Sequence, residues 1–143
     1  MAIIENIRDY IMKCPFLDEL ASVNVDFLPD DATTYSIEQT PSEPIIKRYL
    51  DGTTDRQLTF VFACRLFYSD ERINNINNSG FFEKFQEWLF DNSDNGILPE
   101  MEDGLIPEKI EAISSGYLYD ISGDLSNARY QIQCRLLYEK EGK

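Results

Sequence analysis

The chain has 143 residues, 43% of them hydrophobic, and its 26 acidic and 13 basic side chains give a net charge of −13. This size and apolar content predict one folded domain over residues 1–143 that needs no disulfide or structural metal. The negative charge disfavours direct binding to nucleic acid and to anionic membranes. No apolar run is long enough for a membrane span, and the first residues do not resemble a signal peptide, so we expect a protein of the reducing cytosol.

The chain contains no histidine, which removes the commonest general base and the commonest transition-metal ligand. Its three cysteines, Cys14, Cys64 and Cys134, lie in apolar patterns and are expected to be buried thiols rather than disulfide partners. Glycine-rich phosphate-binding motifs are also missing from the sequence. We therefore predict that the protein is not an enzyme and has no catalytic, metal or cofactor site.

Acidic side chains are abundant, and three groups of them are candidates for holding calcium through oxygen ligands. These groups are Asp30 with Asp31, then Glu100 with Glu102 and Asp103, and finally Asp120 with Asp124. The first two groups fit no EF-hand spacing, and the third is more typical of a hairpin turn. Solvated surface charge is the favoured interpretation of the first two.

In the first half of the chain, one helix and several strands are predicted. Apolar side chains recur at steps of three and four over residues 3–14, which predicts a helix of about ten to twelve residues that ends at Pro15. Alternating patterns predict short strands at residues 23–27 and 35–38. A long strand is predicted at residues 56–68, where apolar side chains occupy both faces.

The second half is predicted to contain a central helix and a hairpin. Aromatic side chains at helical spacing over residues 81–89 predict a helix whose apolar face is more often core than a partner groove. A shorter helix before it is interrupted by asparagines at residues 74–78. Residues 97–107 are predicted to be a loop, and residues 110–118 and 129–138 to be antiparallel strands, with Gly116 marking a bulge.

These elements together predict an α+β domain. Strands joined by short turns cannot all be parallel, so the sheet should be mainly antiparallel. We expect about four to five strands, flanked by the N-terminal helix and the central helix on one face.

A short segment between two prolines and a turn is both apolar and basic, in a chain that is otherwise acidic. It consists of Ile45, Ile46, Lys47, Arg48, Tyr49 and Leu50. Such an extended arm can dock on a neighbouring molecule by strand addition, or it can pair within its own sheet. The sequence leaves both alternatives open, and the arm is a candidate contact with a partner or with another copy.

The region from Asp91 to Glu111 contains seven acidic residues and one basic residue. A solvated loop explains this composition, and so does an acidic loop that faces a channel. Glu100, Glu102 and Asp103 are therefore candidate lumen acids of an assembly.

The sequence resembles a family of small proteins encoded in the tail-gene clusters of long-tailed phages and prophages of Gram-positive bacteria. These proteins are known as tail-terminator-like or minor capsid proteins. The resemblance is one of overall pattern and contains no chemical signature. It is carried by residues 3–8, 10–11, 14–15, 35–38, 44–47, 78–81, 88–89, 107–113, 115–118 and 128–134.

This resemblance implies a tail-terminator-like α+β domain that forms a sixfold ring at the end of the tail tube, stops its growth and joins it to the head. The implied partners are other copies of the chain, the tail tube protein and the head–tail connector. The implied location is the tail or neck of the virion, assembled in the cytoplasm of the bacterial host. An acidic ring would also repel DNA, so DNA could pass through the ring without adhering to it.

Two other functions stay open at this stage. One is a head-completion or minor capsid protein on the portal side. The other is a soluble inhibitor or adaptor whose negative charge mimics nucleic acid.

Overall fold

A computed structural model of the protein describes residues 2–15, 17, 23–26, 28, 34–67, 72–121 and 127–142. Within these residues the chain forms two helices and seven strands. In chain order they are α1 (Ile3–Ile11), β1 (Val23–Val25), β2 (Thr34–Thr40), β3 (Ile45–Arg48), β4 (Thr54–Phe67), α2 (Arg72–Asp94), β5 (Leu105–Ala112), β6 (Tyr117–Ile121) and β7 (Asn127–Lys140).

The seven described strands belong to one mixed sheet with the order β1–β2–β4–β7–β5. β4 and β7 have 14 residues each and form the central antiparallel pair, from Thr54 opposite Lys140 to Phe67 opposite Asn127. β2 and β3 pair with two successive parts of the outer edge of β4. In the same way, β5 and β6 pair with two successive parts of the outer edge of β7. β1 pairs with β2 in the parallel direction.

The predicted fold class is therefore wrong. The protein is mostly sheet, with seven described strands in one mixed sheet and two helices, not an α+β domain with four or five strands. The number was too low because the arm pairs within the sheet as β3, and because the strand predicted over residues 110–118 is two strands, β5 and β6, separated at residues 113–116. Pro41 and Pro44 cannot donate backbone hydrogen bonds to a ladder, so β2 ends and β3 begins on either side of them.

The helices also differ from the predicted ones. α1 is confirmed but has nine residues and ends at Ile11, before the predicted end. α2 is one continuous helix of 23 residues, so the predicted interruption at residues 74–78 is wrong. Helix propensity is a weak preference, and packing of Phe82, Phe85 and Leu89 in the core outweighs it.

A single apolar core joins both helices to one face of the sheet. The ring centroids of Phe62 on β4 and Phe85 on α2 are 4.5 Å apart, and those of Tyr10 on α1 and Trp88 on α2 are 5.3 Å apart. The three cysteines are buried in this core as free thiols, as the apolar patterns around them predict. Burial raises the pKa of the Cys134 thiol far above its ordinary value, so it stays protonated.

Candidate functional site

The arm singled out in the sequence forms β3 and the turn of the β3–β4 hairpin. Its backbone pairs with the start of β4, with Lys47 opposite Asp55 and Arg48 opposite Thr54. Ile46 lies at a bulge where the register shifts. Of the two alternatives for the arm, the structure shows pairing within its own sheet, and its role in contact with a partner stays a prediction.

The tip of this hairpin carries apolar side chains in solvent. Leu50 is fully exposed, and Ile46 and Tyr49 are 53% and 41% exposed. The turn closes through a hydrogen bond from the Gly52 amide to the Tyr49 carbonyl oxygen, at 3.1 Å, and Gly52 has φ 91°. A left-handed φ of this kind favours glycine, so Gly52 favours the turn in which Leu50 is exposed.

The last described residues of the chain hold the hairpin turn in place. The Gly142 amide donates a hydrogen bond to Thr53 Oγ1 at 3.3 Å, and the Glu141 amide donates one to the Gly104 carbonyl oxygen at 3.0 Å. A Cβ atom added to Gly142 would collide with the backbone of Asp51. The hairpin is thus braced against the loop that precedes β5.

Three carboxylates lie together on one face of the hairpin end. Asp55 and Glu139 are directly opposite each other on β4 and β7, and Glu108 lies at the bulge of β5. Burial raises the pKa of Glu108, and the negative charges of Asp55 and Glu139 raise it further. Tyr49 donates a hydrogen bond to Asp55 Oδ2 at 2.7 Å, and its pKa is raised chiefly by that bond.

A cavity of about 500 Å³ lies at the base of the hairpin, on the helix side of the sheet. Its walls come from the start of α1, the break between β2 and β3, and the core-facing side chains of β4 and β7. Wall residues include Ile3, Ile4, Pro41, Pro44, Leu58 and Tyr138. We refer to it as the base pocket.

The base pocket lies beside the start of α1, which is much shorter than the strand beneath it. The 14 residues of β4 span about 45 Å, whereas the nine residues of α1 span about 14 Å. α1 begins beside Leu58, so the sheet continues beyond it toward the hairpin tip. Leu98, Met101 and Leu105 pack against the core from the loop before β5 and the start of β5.

The outer edge of β5 is closed by α2. Ser93 Oγ donates a hydrogen bond to the Ile110 carbonyl oxygen at 2.6 Å and accepts one from the Ile110 amide at 3.1 Å. No described strand pairs with the outer edge of β3, nor with those of β1 and β6. An uncovered edge of this kind is a template for pairing with another chain.

The sheet face opposite the helices is covered by its own long side chains. Arg129 Nη2 donates a hydrogen bond to Glu38 Oε1 at 3.0 Å, and Gln131 Nε2 donates one to the Tyr117 hydroxyl at 2.6 Å. Ser36 and Ala63 are fully buried on this face. Because arginines alternate with carboxylates here, this face is not the uniformly negative surface that a nucleic-acid mimic presents.

The candidate lumen acids Glu100, Glu102 and Asp103 lie together in the exposed loop between α2 and β5. Whether they line a channel depends on an assembly, so that role stays a prediction. Asp30, Asp31 and Asp124, from the other carboxylate groups, lie outside the described residues. In the part of the chain that is described, no three side chains of metal-ligating type are grouped to hold an ion.

Sequence reasoning missed the base pocket and the carboxylate group of Asp55, Glu108 and Glu139. Both depend on strand register, which brings together residues far apart in the chain, such as Asp55 and Glu139. The break at Pro41 and Pro44, two residues of the pocket wall, was visible in the sequence, but the pocket itself was not. Nothing local in the sequence marks Asp55 and Glu139 as neighbours.

No protein-family model matches the chain, and no curated protein matches its sequence. Among the described helices, none has both the length and the apolar character needed to cross a membrane.

Proposed function

We propose that the protein is a structural assembly protein that completes the tail of a long-tailed phage or prophage. It self-associates into a sixfold ring at the end of the tail tube and contacts the tail tube protein and the head–tail connector. Its place is then the tail or neck of the virion. The observation that carries this proposal is the β3–β4 hairpin, which displays apolar side chains in an acidic protein.

The hairpin supports a role in assembly because exposed apolar side chains are retained where a partner covers them. Leu50, Tyr49 and Ile46 are exposed at the tip and bulge of one paired hairpin. Lys47 and Arg48, in the same segment, can face an acidic neighbour, and every copy of this chain is strongly acidic.

The acidity of the chain supports a ring through which DNA passes. A net charge of −13 on each copy gives an assembly that repels a polyanion. Glu100, Glu102 and Asp103 are exposed in one loop and are the acids that we propose for the lumen. The sequence resemblance supports the same proposal, because tail-terminator-like proteins form such rings.

Electron microscopy of tails assembled with and without the protein tests the proposal. We expect tails without it to vary in length and to fail to join heads. Unchanged tube length and head joining after its deletion would contradict a tail-completion role. Capture assays with isolated tail tube and isolated portal protein separate this role from a head-completion role, because only the former predicts binding to the tube.

A further inference from the structure

We propose that the base pocket binds a medium-chain alkyl carboxylate, with the alkyl chain inside the pocket and the carboxylate at Tyr138 and Arg56. A molecule of this class has one apolar chain and one anionic head group. The proposal concerns a ligand-binding site and does not depend on the proposed self-association. Three observations carry it: a buried hydroxyl with no described partner, an apolar cavity, and a cation beside them.

The first observation is the hydroxyl of Tyr138, which is a wall residue of the pocket. Tyr138 is only 7% exposed, yet its hydroxyl makes no hydrogen bond with another described residue. Buried polar groups are nearly always hydrogen-bonded, so an exception that faces a cavity indicates a binding role for that cavity. Burial raises the pKa of this hydroxyl, and the charge of Arg56 opposes the rise only in part, so the hydroxyl stays protonated at neutral pH and can donate.

The remaining walls of the pocket favour an apolar ligand body. The hydroxyl of Thr40 already donates to Thr59 Oγ1 at 2.8 Å, and the side-chain amide of Gln57 donates to the Glu43 carbonyl oxygen at 2.9 Å. The volume of about 500 Å³ is in the range of sites for small organic ligands. Six of the eleven wall residues are apolar and none is charged, the apolar ones being Ala2, Ile3, Ile4, Pro41, Pro44 and Leu58.

A cation lies beside Tyr138 on the same face of the sheet. Arg56 is directly opposite Tyr138 in the β4–β7 ladder, and side chains that are paired in this way are neighbours. Arg56 Nε donates a hydrogen bond to Thr54 Oγ1 at 2.9 Å, and Arg56 makes no ion pair with a described carboxylate. The adjacent acids of this ladder, Asp55 and Glu139, point to the opposite face, because side chains alternate along a strand.

A carboxylate matches these two donors. It accepts hydrogen bonds on two oxygens in one plane, and the planar guanidinium of an arginine is suited to that geometry. A cationic head group would be repelled by Arg56, and a chain without a polar head would leave the Tyr138 hydroxyl buried and unpaired. An alkyl chain with an anionic head is therefore the ligand class that the pocket favours.

Isothermal titration calorimetry of the full chain with octanoate, octylamine and acetate tests the proposal. Octanoate has both the chain and the carboxylate, octylamine has the same chain with a cationic head, and acetate has the carboxylate alone. We expect only octanoate to bind, although the net charge of −13 favours octylamine at long range. The proposal is overturned if octanoate does not bind, or if octylamine or acetate binds equally well.

Two substitutions locate the site of octanoate binding. Tyr138→Phe removes the hydroxyl and should weaken binding by about tenfold or more, as expected for the loss of a hydrogen bond to a charged group. Arg56→Gln removes the cation and should weaken binding at least as much. Tyr119→Phe and Lys84→Gln remove a hydroxyl and a cation at exposed positions outside the pocket wall, so they should leave binding unchanged.

Thermal unfolding of the ligand-free variants provides an independent check. Because the Tyr138 hydroxyl has no described partner, Tyr138→Phe should unfold at the same temperature as the unmodified protein or at a higher one. A lower unfolding temperature would show that the hydroxyl is already bonded within the protein, which contradicts its assignment to a ligand. If Tyr138→Phe and Arg56→Gln fold normally and bind octanoate as tightly as the unmodified protein, the proposed site is wrong.

Discussion

Ser93 on α2 forms two hydrogen bonds with the backbone of Ile110 on β5, donating to its carbonyl oxygen and accepting from its amide. Ile110 is fully buried, so the Ser93 hydroxyl satisfies edge groups that water does not reach. This contact satisfies backbone groups on the outer edge of β5, whereas no described strand pairs with the outer edges of β1, β3 and β6.

Replacing Ser93 should therefore destabilise the fold and open the β5 edge. We expect Ser93→Ala to lower the free energy of unfolding by about 1–3 kcal/mol, because two buried backbone groups lose their partner. Chemical denaturation measures this change, and size-exclusion chromatography reports any new aggregation. Ser93→Thr keeps the hydroxyl and is the matched control; equal stability of the alanine and threonine variants would contradict the role of the hydroxyl.

Two glycines should respond in opposite directions to the same substitution. Gly116, between β5 and β6, lies so close to Phe82 that an added Cβ would collide with that side chain at its root. We expect Gly116→Ala to cost about 1–3 kcal/mol of stability through overpacking. Gly80 is inside α2 with no described atom within 4 Å of an added Cβ, so Gly80→Ala should stabilise by about 0.5–1 kcal/mol.

Thermal unfolding of the two glycine variants measures both effects under one set of conditions. A Gly116→Ala variant as stable as the unmodified protein would show that β6 and α2 separate easily. Loss of stability in Gly80→Ala would show that the start of α2 is more crowded than its described neighbours indicate.

Self-association should depend on the side chain at the hairpin tip. We expect Leu50→Asp to weaken association by about tenfold or more, since charging a buried anchor costs more than about 1 kcal/mol. Ile97→Asp removes another exposed apolar side chain, which is 54% exposed and lies away from the tip, and should leave association unchanged. Analytical ultracentrifugation over a concentration series measures both, and equal effects would mean that general surface hydrophobicity drives association.

The carboxylates at the hairpin end should make stability depend on pH. The raised pKa of Glu108 means that the folded protein binds a proton more readily than the unfolded chain, so stability is gained as the pH falls through that pKa. Glu139→Gln removes the like charge opposite Asp55 and should add about 0.5 kcal/mol at pH 7. The stability gained by Glu139→Gln should shrink as the pH falls toward 4.5, the ordinary pKa of a glutamate side chain.

Thermal unfolding at several pH values checks this prediction. Glu87→Gln, at an exposed position of α2, removes the same charge away from the hairpin and should show no such dependence. An advantage of Glu139→Gln that stays constant across the pH range would contradict the coupling among the three carboxylates.

The contribution of Glu111 to the stability of the fold should depend on pH in the opposite direction. Burial raises its pKa, but the hydrogen bond and charge of Arg135, together with Lys109, outweigh burial and bring the pKa below its ordinary value. Glu111 therefore stabilises the fold at pH values above 4.5, its pKa in the unfolded chain. This stabilisation is lost as the pH falls through the lower pKa that Glu111 has in the folded protein. Glu111→Gln should lower stability at neutral pH by less than about 1 kcal/mol and have little effect in acid.

Denaturant titrations at neutral and acid pH measure the contribution of Glu111. Arg135→Gln removes the partner and should produce a similar loss at neutral pH. If Glu111→Gln were neutral at pH 7 while Arg135→Gln was not, the Arg135 contact would act through packing rather than through charge.

Several elements were predictable because their patterns are local. The alternation along residues 129–138 and the apolar faces of residues 56–68 correspond to the central strands β7 and β4. Gly116 was predicted to mark a bulge within one strand, but it lies in the gap between β5 and β6, and the register shifts fall between Pro107 and Lys109 and between Leu118 and Asp120. The strand count and the continuity of α2 were wrong because propensity alone does not show which interruptions tertiary packing tolerates.

The candidate site was predictable only in part. The arm at residues 45–50 was visible as an apolar and basic segment between prolines, and it forms the projecting hairpin. Its brace by Glu141 and Gly142, and the pocket beside Leu58 and Tyr138, were not visible. These contacts join residues far apart in the chain, and a single sequence has no local signal for them.

By itself, the sequence determined composition, charge and local pattern: no histidine chemistry, three buried thiols, and a basic apolar arm in an acidic chain. These follow because an inventory of side chains and their spacing belongs to the chain before it folds. Only the tertiary structure decided that β1 lies parallel to β2, that Asp55 faces Glu139, and that a pocket opens where α1 stops short of the sheet. The reason is physical: strand direction, register and the coverage of a sheet by helices depend on which distant segments pack together, and packing is settled over the whole core at once.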